Sequence, residues 1–420
     1  MNVLVTGSRG FIGQNLIAWL QQLPDIQVLE FDQEHTAADL AERLAVADLI
    51  YHLAGVNRPQ SVEEFRTGNV DLTAQMCELL LQGGRATPIV LSSSIQAELD
   101  NPYGASKRQA EQVLADYAAR SGAPVAIFRL SNVFGKWCRP NYNSVVATFC
   151  HNIAHDLPIA ISDPSREVPL VHVDDVVQAF LEVGTEIRSQ RSEVKGQKSG
   201  AGDFSDGAHL RPLTIDNSPS TIDNSSPALA HYEAQPVYTV TLGRLAELIR
   251  SFRASRQTLL APDFSDPLVH KLYGTFLSYL ETDDFAYDLT QRSDARGSLA
   301  EFIKSPPFGQ IFVSRTRPGV TRGNHFHHTK TEKFLVLEGE AIIRFRHIQS
   351  QEIIEYTVRG EDYRVLDIPT GYTHSIENVG QGELVTLFWA SEVFDAQQPD
   401  TVWEEVQSPK SDVVTLNKTL

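Results

Sequence analysis

The sequence predicts two structural classes in succession, an α/β domain built on a parallel sheet and then an all-β domain. Three observations carry that expectation. A short apolar strand, Asn2 to Thr6, runs into Gly7, Gly10 and Gly13 and then into an amphipathic helix ending near Leu23. Strand and helix signals then alternate along the chain, the pattern of a parallel sheet covered on both faces. From Gln310 onward the pattern changes to short alternating strands with Gly and Pro turns, as in an antiparallel sandwich or barrel.

The first stretch points to a dinucleotide. A helix N-terminus offers unpaired amides to a pyrophosphate, Gly7 permits the tight turn, and Gly10 and Gly13 allow close approach of backbone and helix. Val28 to Phe31 reads as a second strand, closed by Asp32 at the distance where a ribose hydroxyl is gripped. Ala37 to Val46 reads as a helix, and Leu49 to Leu53 as a short buried strand ending in Ala54 and Gly55, small enough to lie against a cofactor. Leu72 to Leu81 has helical periodicity, and Pro88 to Leu91 returns to strand before Ser92, Ser93 and Ser94.

Size and charge bound the rest. A chain of 420 residues and 46.6 kDa exceeds one ordinary core, so two domains are expected, at 1–300 and 301–420. A net charge of -17 argues against a nucleic-acid partner and says little against a small anionic ligand. The three cysteines, Cys77, Cys138 and Cys150, form neither a disulfide framework nor a metal spacing and fit buried thiols in a reducing cytosol. With the nucleotide strand at the very start and no long apolar run, a signal peptide and a membrane span are not expected, and the chain reads as cytoplasmic.

Ligands in parallel sheets bind beyond the carboxyl ends of the strands, where the serines fall. Tyr103 and Lys107 follow at the one-turn spacing that puts both on one helix face. An ammonium beside a phenol favours the phenolate and makes it competent to exchange a proton with a carbonyl or alcohol oxygen, and a serine hydroxyl adds a second hydrogen bond to that oxygen.

Taken together, Gly7-Ser8-Arg9-Gly10-Phe11-Ile12-Gly13, His52-Leu53-Ala54-Gly55, Ser92 to Ser94, Tyr103 to Lys107, Arg129 to Gly135 and Val171 to Val176 resemble the extended short-chain dehydrogenase/reductases that act on nucleotide sugars. That resemblance covers about the first 185 residues and implies a Rossmann-type sheet. It makes Ser94 the carbonyl-binding serine, Tyr103 the proton donor and Lys107 the residue that activates Tyr103 and holds the nicotinamide ribose. Arg9, Phe11 and Ile12, with the three glycines, Asp32 and Leu53 to Gly55, become cofactor contacts. Asn132 and His172 fall where the family shapes the sugar pocket. Arg139, Asn141, Tyr142 and Asn143 lie where it places its nucleotide-sugar loop, with Lys136 and Arg166 behind them.

From Arg188 to Pro236 the composition turns to Ser, Gly, Asp and Pro and contains a near-repeat, Thr214 to Ser218 and Thr221 to Ser225. This reads as a loosely held insertion whose deletion leaves fold and activity nearly intact. Val237 to Thr241 and a helix from Leu242 to about Arg253 resume the first domain, Leu268 to Leu280 is a further helix, and Asp294 to Gly297 and Pro306 to Gly309 are turns.

In the second domain two clusters carry chemistry: Gly319, His325, His327 and Glu332 ahead of Gly339, and then Pro369, Gly371, His374 and Asn378. On a strand His325 and His327 share a face, and Glu332 with His374 completes three imidazoles and one carboxylate, a set suited to zinc and also to nickel, iron or manganese. The spacing resembles both motifs of the cupin barrels, with Gly360 further from Pro369 than usual.

The pairing of the two domains, with Asn324 to Lys330, Arg344 to His347, Asp367 to His374 and Trp389, is similar to a family of bifunctional capsular polysaccharide enzymes that make UDP-2-acetamido-2,6-dideoxy-L-talose, a precursor of UDP-N-acetyl-L-fucosamine. The resemblance implies C3 epimerisation in the cupin, C4 reduction in the short-chain domain, a homodimer, and NADPH, which Arg9 suits and Asp32 opposes in favour of NADH. A proton beside a 4-keto group is acidic because its removal gives an enolate, so the cupin needs a base, for which His328, Lys330, Glu332, Tyr363 and Tyr372 are available. Two other readings compete: a single-activity reductase or epimerase whose cupin binds sugar or builds the dimer, and a nicotinamide-sensing regulator. C3 exchange without nicotinamide separates the first from the bifunctional reading, and cofactor oxidation that depends on Tyr103 separates the second.

Overall fold

Asn2–Thr6 (β1) begins a run of strands and covering helices in the computed structural model, which describes residues 1–59, 61–194, 220–221, 229–406 and 413–415. Phe11–Leu20 (α1), Gln27–Phe31 (β2), Ala37–Val46 (α2), Leu49–His52 (β3), Val62–Phe65 (α3), Leu72–Gln82 (α4), Ile89–Ser94 (β4), Pro102–Ser121 (α5) and Val125–Leu130 (β5) follow. β1 pairs in parallel with β2 on one side and β3 on the other, and β4 and β5 extend the sheet in parallel. Alternate residues leave for opposite cores: Val3, Val5, Tyr51, Val90 and Phe128 for one, Leu4, Ile50, Leu91 and Ile127 for the other. Strands buried on both faces must be apolar almost throughout, which is why these segments carry no polar alternation. The strand order reverses between β1 and β3, so the crevice for a ligand opens at their carboxyl ends.

The chain continues through Asn132–Phe134 (β6), Val145–Ala154 (α6), Glu167–His172 (β7), Val173–Val194 (α7), Ser220–Thr221 (β8), Leu229–Glu233 (β9), Val237–Thr241 (β10), Leu242–Thr258 (α8) and Pro267–Leu277 (α9). β10, β7 and β6 make a small second sheet. Most of the expected insertion at 188–236 lies outside the described residues, but its last part needs correction. β9 pairs in parallel with β5, and Tyr232 packs on Phe128 with ring centroids 5.2 Å apart. That burial makes Leu229–Glu233 a strand of the main sheet, which the polar composition around it conceals.

The second unit carries Gln291–Asp294 (β11), Gly297–Ser305 (β12), Gly309–Thr316 (β13), Thr321–Phe326 (β14), Glu332–Glu338 (β15), Glu340–His347 (β16), Ile353–Arg359 (β17), Val365–Ile368 (β18), Tyr372–Asn378 (β19), Leu384–Ala390 (β20), Val402–Trp403 (β21) and Val413–Thr415 (β22). They form two six-stranded sheets, β11-β12-β13-β20-β15-β18 and β21-β14-β19-β16-β17-β22. Phe334, Val336, Leu366 and Phe388 from one sheet meet Ile343, Phe345, Val358 and Ile376 from the other in a single apolar cluster. The compact units are Met1–Arg250 with Pro267–Leu280, and Ser251–Asp266 with Glu281–Leu420. The boundary expected at 300 therefore lies too late: β11 and β12 pair with each other, and β12 pairs with β13, so they belong to the second unit. Among the described residues no helix is long and apolar enough to cross a membrane.

Candidate functional site

The glycine turn closes on itself at the end of β1. The Gly7 amide donates to the Phe31 carbonyl at 2.8 Å, and the Gly10 amide to the Gly7 carbonyl at 3.0 Å. Gly7 has φ +69° and a Cβ there would lie 2.7 Å from the Ala54 nitrogen, while one on Gly13 would lie 2.2 Å from the Gly7 oxygen. No side chain caps α1, so the amides opening at Phe11, Ile12 and Gly13 remain available, and the buried Ser8 hydroxyl has no partner. These features fit a pyrophosphate. Asp32 accepts from the Arg9 amide at 2.7 Å, and the exposed Arg9 guanidinium pairs with Glu34 at 2.6 Å. Leu53 continues from β3, its amide donating to the Thr6 carbonyl at 3.1 Å.

His52 fixes this crevice from beneath. The Thr73 hydroxyl donates to the Asn69 carbonyl at 2.7 Å, so it accepts from His52 Nε2 at 2.8 Å, and His52 Nδ1 accepts from Thr6 at 2.7 Å. Burial, reinforced by the charge of Lys107, pulls the His52 pKa down to about 3, in keeping with a neutral ring.

β4 does not stop at Leu91 as the sequence suggests. It runs through all three serines because Ser92, Ser93 and Ser94 pair with Phe128, Arg129 and Leu130 of β5. Ser94 thereby stands at the strand's carboxyl end, and the Gln96 amide donates to its hydroxyl at 3.2 Å. Asn101 caps α5 by accepting from the Gly104 amide at 2.8 Å, and Pro102 opens the helix, which aims Tyr103 and Lys107 at that strand end. Lys107 donates to the Ser92 carbonyl at 3.1 Å and lies 5.9 Å from the Tyr103 ring centroid. Burial pulls the Lys107 pKa down to about 8, opposed by Glu111 one turn further on.

The phenol departs from expectation. Burial raises the Tyr103 pKa and the Ser94 hydroxyl offsets only part of that rise. Tyr103 is thus held as the neutral phenol, the form that gives up a proton when an alkoxide develops.

Two residues packed behind Tyr103 and Lys107 escaped the sequence reading. Asn69, buried on the π-helical turn Arg66–Asp71, donates to the Val56 carbonyl at 3.0 Å and to Ser106 at 2.9 Å, and accepts from the Val56 amide at 2.8 Å. It holds the backbone at Gly55 against the site, where a Cβ would come within 3.3 Å of Lys107 Nζ. No periodicity announces it. Glu111 accepts from Arg129 at 2.8 Å and from the Ser93 hydroxyl behind Lys107. Its spacing four residues past Lys107 is the signal that could have found it.

The proposed sugar loop is assembled in part. Arg139 and Arg58 lie over the Tyr142 ring at 5.2 Å and 5.7 Å, and Arg58 is a residue the sequence reading did not name. Asn141, at φ +53°, donates its amide to Thr148 at 3.0 Å, Asn143 is exposed, and Asn132 donates to the Pro169 carbonyl at 2.9 Å. Lys136 pairs with Asp174 at 2.8 Å. His172 packs edge-on to Phe134, and burial pulls its pKa down to about 4.

In the second unit β14 and β19 lie side by side with His325 opposite His374, and β15 opens on Glu332. The ligand atoms of His325, His327, Glu332 and His374 all lie within 4.8 Å of one another. Glu332 Oε2 is 3.5 Å from His327 Nε2 and 3.4 Å from His374 Nε2, and both those nitrogens, with His325 Nδ1, are buried without hydrogen-bond partners. Burial opposes the Glu332 carboxylate, but the adjacent His327 and His374 rings and the charge of Lys330 hold its pKa well below the usual range. Burial likewise pulls His325 down to about 4. Three imidazole nitrogens without hydrogen-bond partners, converging with one carboxylate, fit a divalent cation. Among the side chains available as a base, Lys330 stands 3.6 Å from Glu332, whereas Tyr363 is 77% exposed at a turn and Tyr372 packs on His347.

Comparison with known proteins agrees with both halves. Residues 3–194 match the NAD dependent epimerase/dehydratase family, and residues 292–402 match the polysaccharide biosynthesis C-terminal domain. The first unit is accordingly an NAD(P)-dependent oxidoreductase of the epimerase/dehydratase superfamily. UDP-2-acetamido-2,6-beta-L-arabino-hexul-4-ose reductase of Pseudomonas aeruginosa is 43% identical over 401 residues, covering 96% of this chain and 98% of that protein. The crystal structure of the capsular polysaccharide assembling protein CapF from Staphylococcus aureus matches with a TM-score of 0.80 at 42% identity, over 97% of this chain and 100% of that one. CapF with the inhibitor 3-isopropenyl-tropolone matches at 0.76 and 38% identity, with the same coverage. The chain belongs to this family of nucleotide-sugar-modifying enzymes of the capsular polysaccharide pathway, as its motifs suggested.

Proposed function

We propose that the chain is bifunctional and acts on a UDP-2-acetamido-2,6-dideoxy-4-keto-hexose, epimerising C3 in the second unit and reducing the C4 ketone in the first. The product is UDP-2-acetamido-2,6-dideoxy-L-talose, on the way to UDP-N-acetyl-L-fucosamine. The observation that carries this reading is the convergence of Ser94, Tyr103 and Lys107 on the end of β4, beside the glycine cradle of β1. The nicotinamide supplies the hydride. Ser94 and Tyr103 bind the C4 oxygen, Tyr103 gives it a proton, and Lys107 holds the ribose and stabilises the phenolate that results. Arg139, Asn141, Tyr142 and Asn143, with Asn132 and His172, bind and orient the UDP-sugar.

NADPH is the proposed coenzyme, with Arg9 as the 2'-phosphate contact and NADH as the alternative favoured by Asp32. In the second unit, closed as a cupin barrel, His325, His327, Glu332 and His374 hold one divalent ion, zinc by the donor set. When bound, that ion supplies Lewis acidity or cross-links the strands. A cytoplasmic homodimer completes the reading.

Full-length protein given the 4-keto sugar should oxidise reduced coenzyme, and Tyr103→Phe should nearly abolish that oxidation. The same protein without nicotinamide should exchange solvent deuterium into C3. Equal oxidation rates in the two proteins would sink the reductase assignment; no exchange, with full reduction of the unepimerised sugar, would favour a second unit that only binds sugar or builds the dimer.

A further inference from the structure

The loop between β14 and β15 carries His327 at its start and leads into Glu332, yet neither strand holds the loop itself. Its two ends are fastened by the Gly371 amide, donating to the His327 carbonyl at 3.0 Å, and by Ser391, whose hydroxyl accepts from the Thr331 amide at 3.0 Å, while its middle is held by a residue far along the chain. The carboxylate of Asp400 accepts from the amides of His328 at 2.9 Å, Thr329 at 2.8 Å and Lys330 at 2.8 Å, and from the Thr329 hydroxyl at 2.9 Å. The same residue's main-chain carbonyl accepts from His327 Nδ1. A carbonyl can only accept, so Nδ1 carries the ring proton and Nε2, the nitrogen facing Glu332, presents its lone pair.

The chain beyond Asp400 continues the fastening. Val402 and Trp403 pair with Phe326 and His325, and the Glu404 amide donates to the Asn324 carbonyl at 3.0 Å. Thr373, beside His374, donates its hydroxyl to the Glu404 carboxylate, and Arg346 reaches the Glu404 carboxylate at 3.1 Å and the Glu405 carbonyl at 3.0 Å.

We propose that Asp400 is a positioning residue for the cation cluster, setting the His327 tautomer through its carbonyl and the loop geometry through its carboxylate. The proposal rests on the metal reading given above. Partners of this kind raise ligand basicity and fix ring orientation, and their loss weakens metal affinity roughly 10- to 100-fold.

The experiment uses the full chain as wild type, Asp400→Ala and Asp400→Asn. Zinc affinity is read by competition with a chromophoric chelator, and the His327 tautomer of the metal-free protein by long-range 15N NMR of the ring. Asparagine keeps the size but turns one acceptor oxygen into a donor that must face a backbone N–H, so it too should weaken the nest and decides the matter if the alanine variant fails to fold. The expected result is a roughly 10- to 100-fold loss of zinc affinity with unchanged dinucleotide binding and, because both variants keep the main-chain carbonyl but release the loop that aligns His327 Nδ1 with it, a change from the Nδ1–H form alone to a mixture of tautomers. A purely architectural role would lower the melting temperature of the metal-free chain while leaving the folded fraction's zinc affinity as in wild type, and that outcome overturns the proposal. A wild type that binds no divalent ion overturns the metal reading instead, and the tautomer comparison then judges Asp400 by itself: one form in all three proteins refutes it.

Discussion

Glu111→Gln removes one charge from a closed cluster and tests the electrostatics behind Tyr103 and Lys107. The Glu111 carboxylate accepts from Arg129 at 2.8 Å and 3.2 Å and from Ser93, and His231 Nε2 lies 3.8 Å away. Burial works against its charge, but the nearby His231 ring and the hydrogen bonds from Arg129 and Ser93 prevail and hold its pKa down to about 2, from an ordinary 4.5. At ~1.4 kcal/mol for each tenfold change, the difference is worth at most ~3 kcal/mol, and solvent at the Arg129 end reduces this to ~2 kcal/mol. A depressed carboxylate stabilises the fold above its unfolded pKa, and that stability is lost as pH falls through the folded pKa. The variant should therefore unfold in less urea at pH 7, and the gap to wild type should close between pH 4.5 and about 2.

Hydrogen exchange of the α5 amides during the titration localises the effect to the first unit. A second readout comes from Lys107, whose pKa of about 8 is partly maintained by Glu111. Without that carboxylate the ammonium loses its proton at lower pH, so the alkaline limit of C4 reduction should move downward. An unchanged urea midpoint at pH 7, together with an unmoved alkaline limit, would refute the account of this cluster.

Gly13→Ala places a Cβ 2.2 Å from the Gly7 oxygen and should cost at least tenfold in coenzyme affinity by fluorescence titration, whereas Gly274→Ala, with nothing within 4 Å, should leave it unchanged. Asp32→Ala removes the carboxylate that opposes a 2'-phosphate, so the ratio of the NADPH to NADH dissociation constants should fall by about tenfold, roughly 1.4 kcal/mol; a ratio that stays put would take Asp32 out of coenzyme choice. His325→Ala should lower the metal content of purified protein, measured by elemental analysis, without changing dinucleotide affinity, because the two sites belong to separate units. Metal occupancy of the wild type should fall in acid as protons compete for the imidazoles, near or below ~6.5, and pH-independent occupancy would argue against imidazole ligation.

The sequence by itself determined the features governed by short-range rules. Apolar runs and glycine spacing mark β1 and the turn into α1, because a strand buried on both faces and a turn with positive φ each restrict residue type locally. The i, i+4 spacing of Tyr103 and Lys107 puts both on one helix face, and the alternation of His325 and His327 along an extended chain puts them on one side. Tertiary structure alone decided what depends on contacts between distant residues. Leu229–Glu233 became a strand because β5 offered an unpaired edge and Phe128 a surface for Tyr232. Tyr103 stays protonated because burial outweighs its polar neighbours, a balance that spacing cannot reveal. Asn69 reaches the cofactor crevice from a widened helical turn, and Asp400 reaches His327 across 73 positions of chain. Such partners carry no local pattern, since hydrogen bonds between distant segments depend on where packing brings the backbone and leave the residue spacing unmarked.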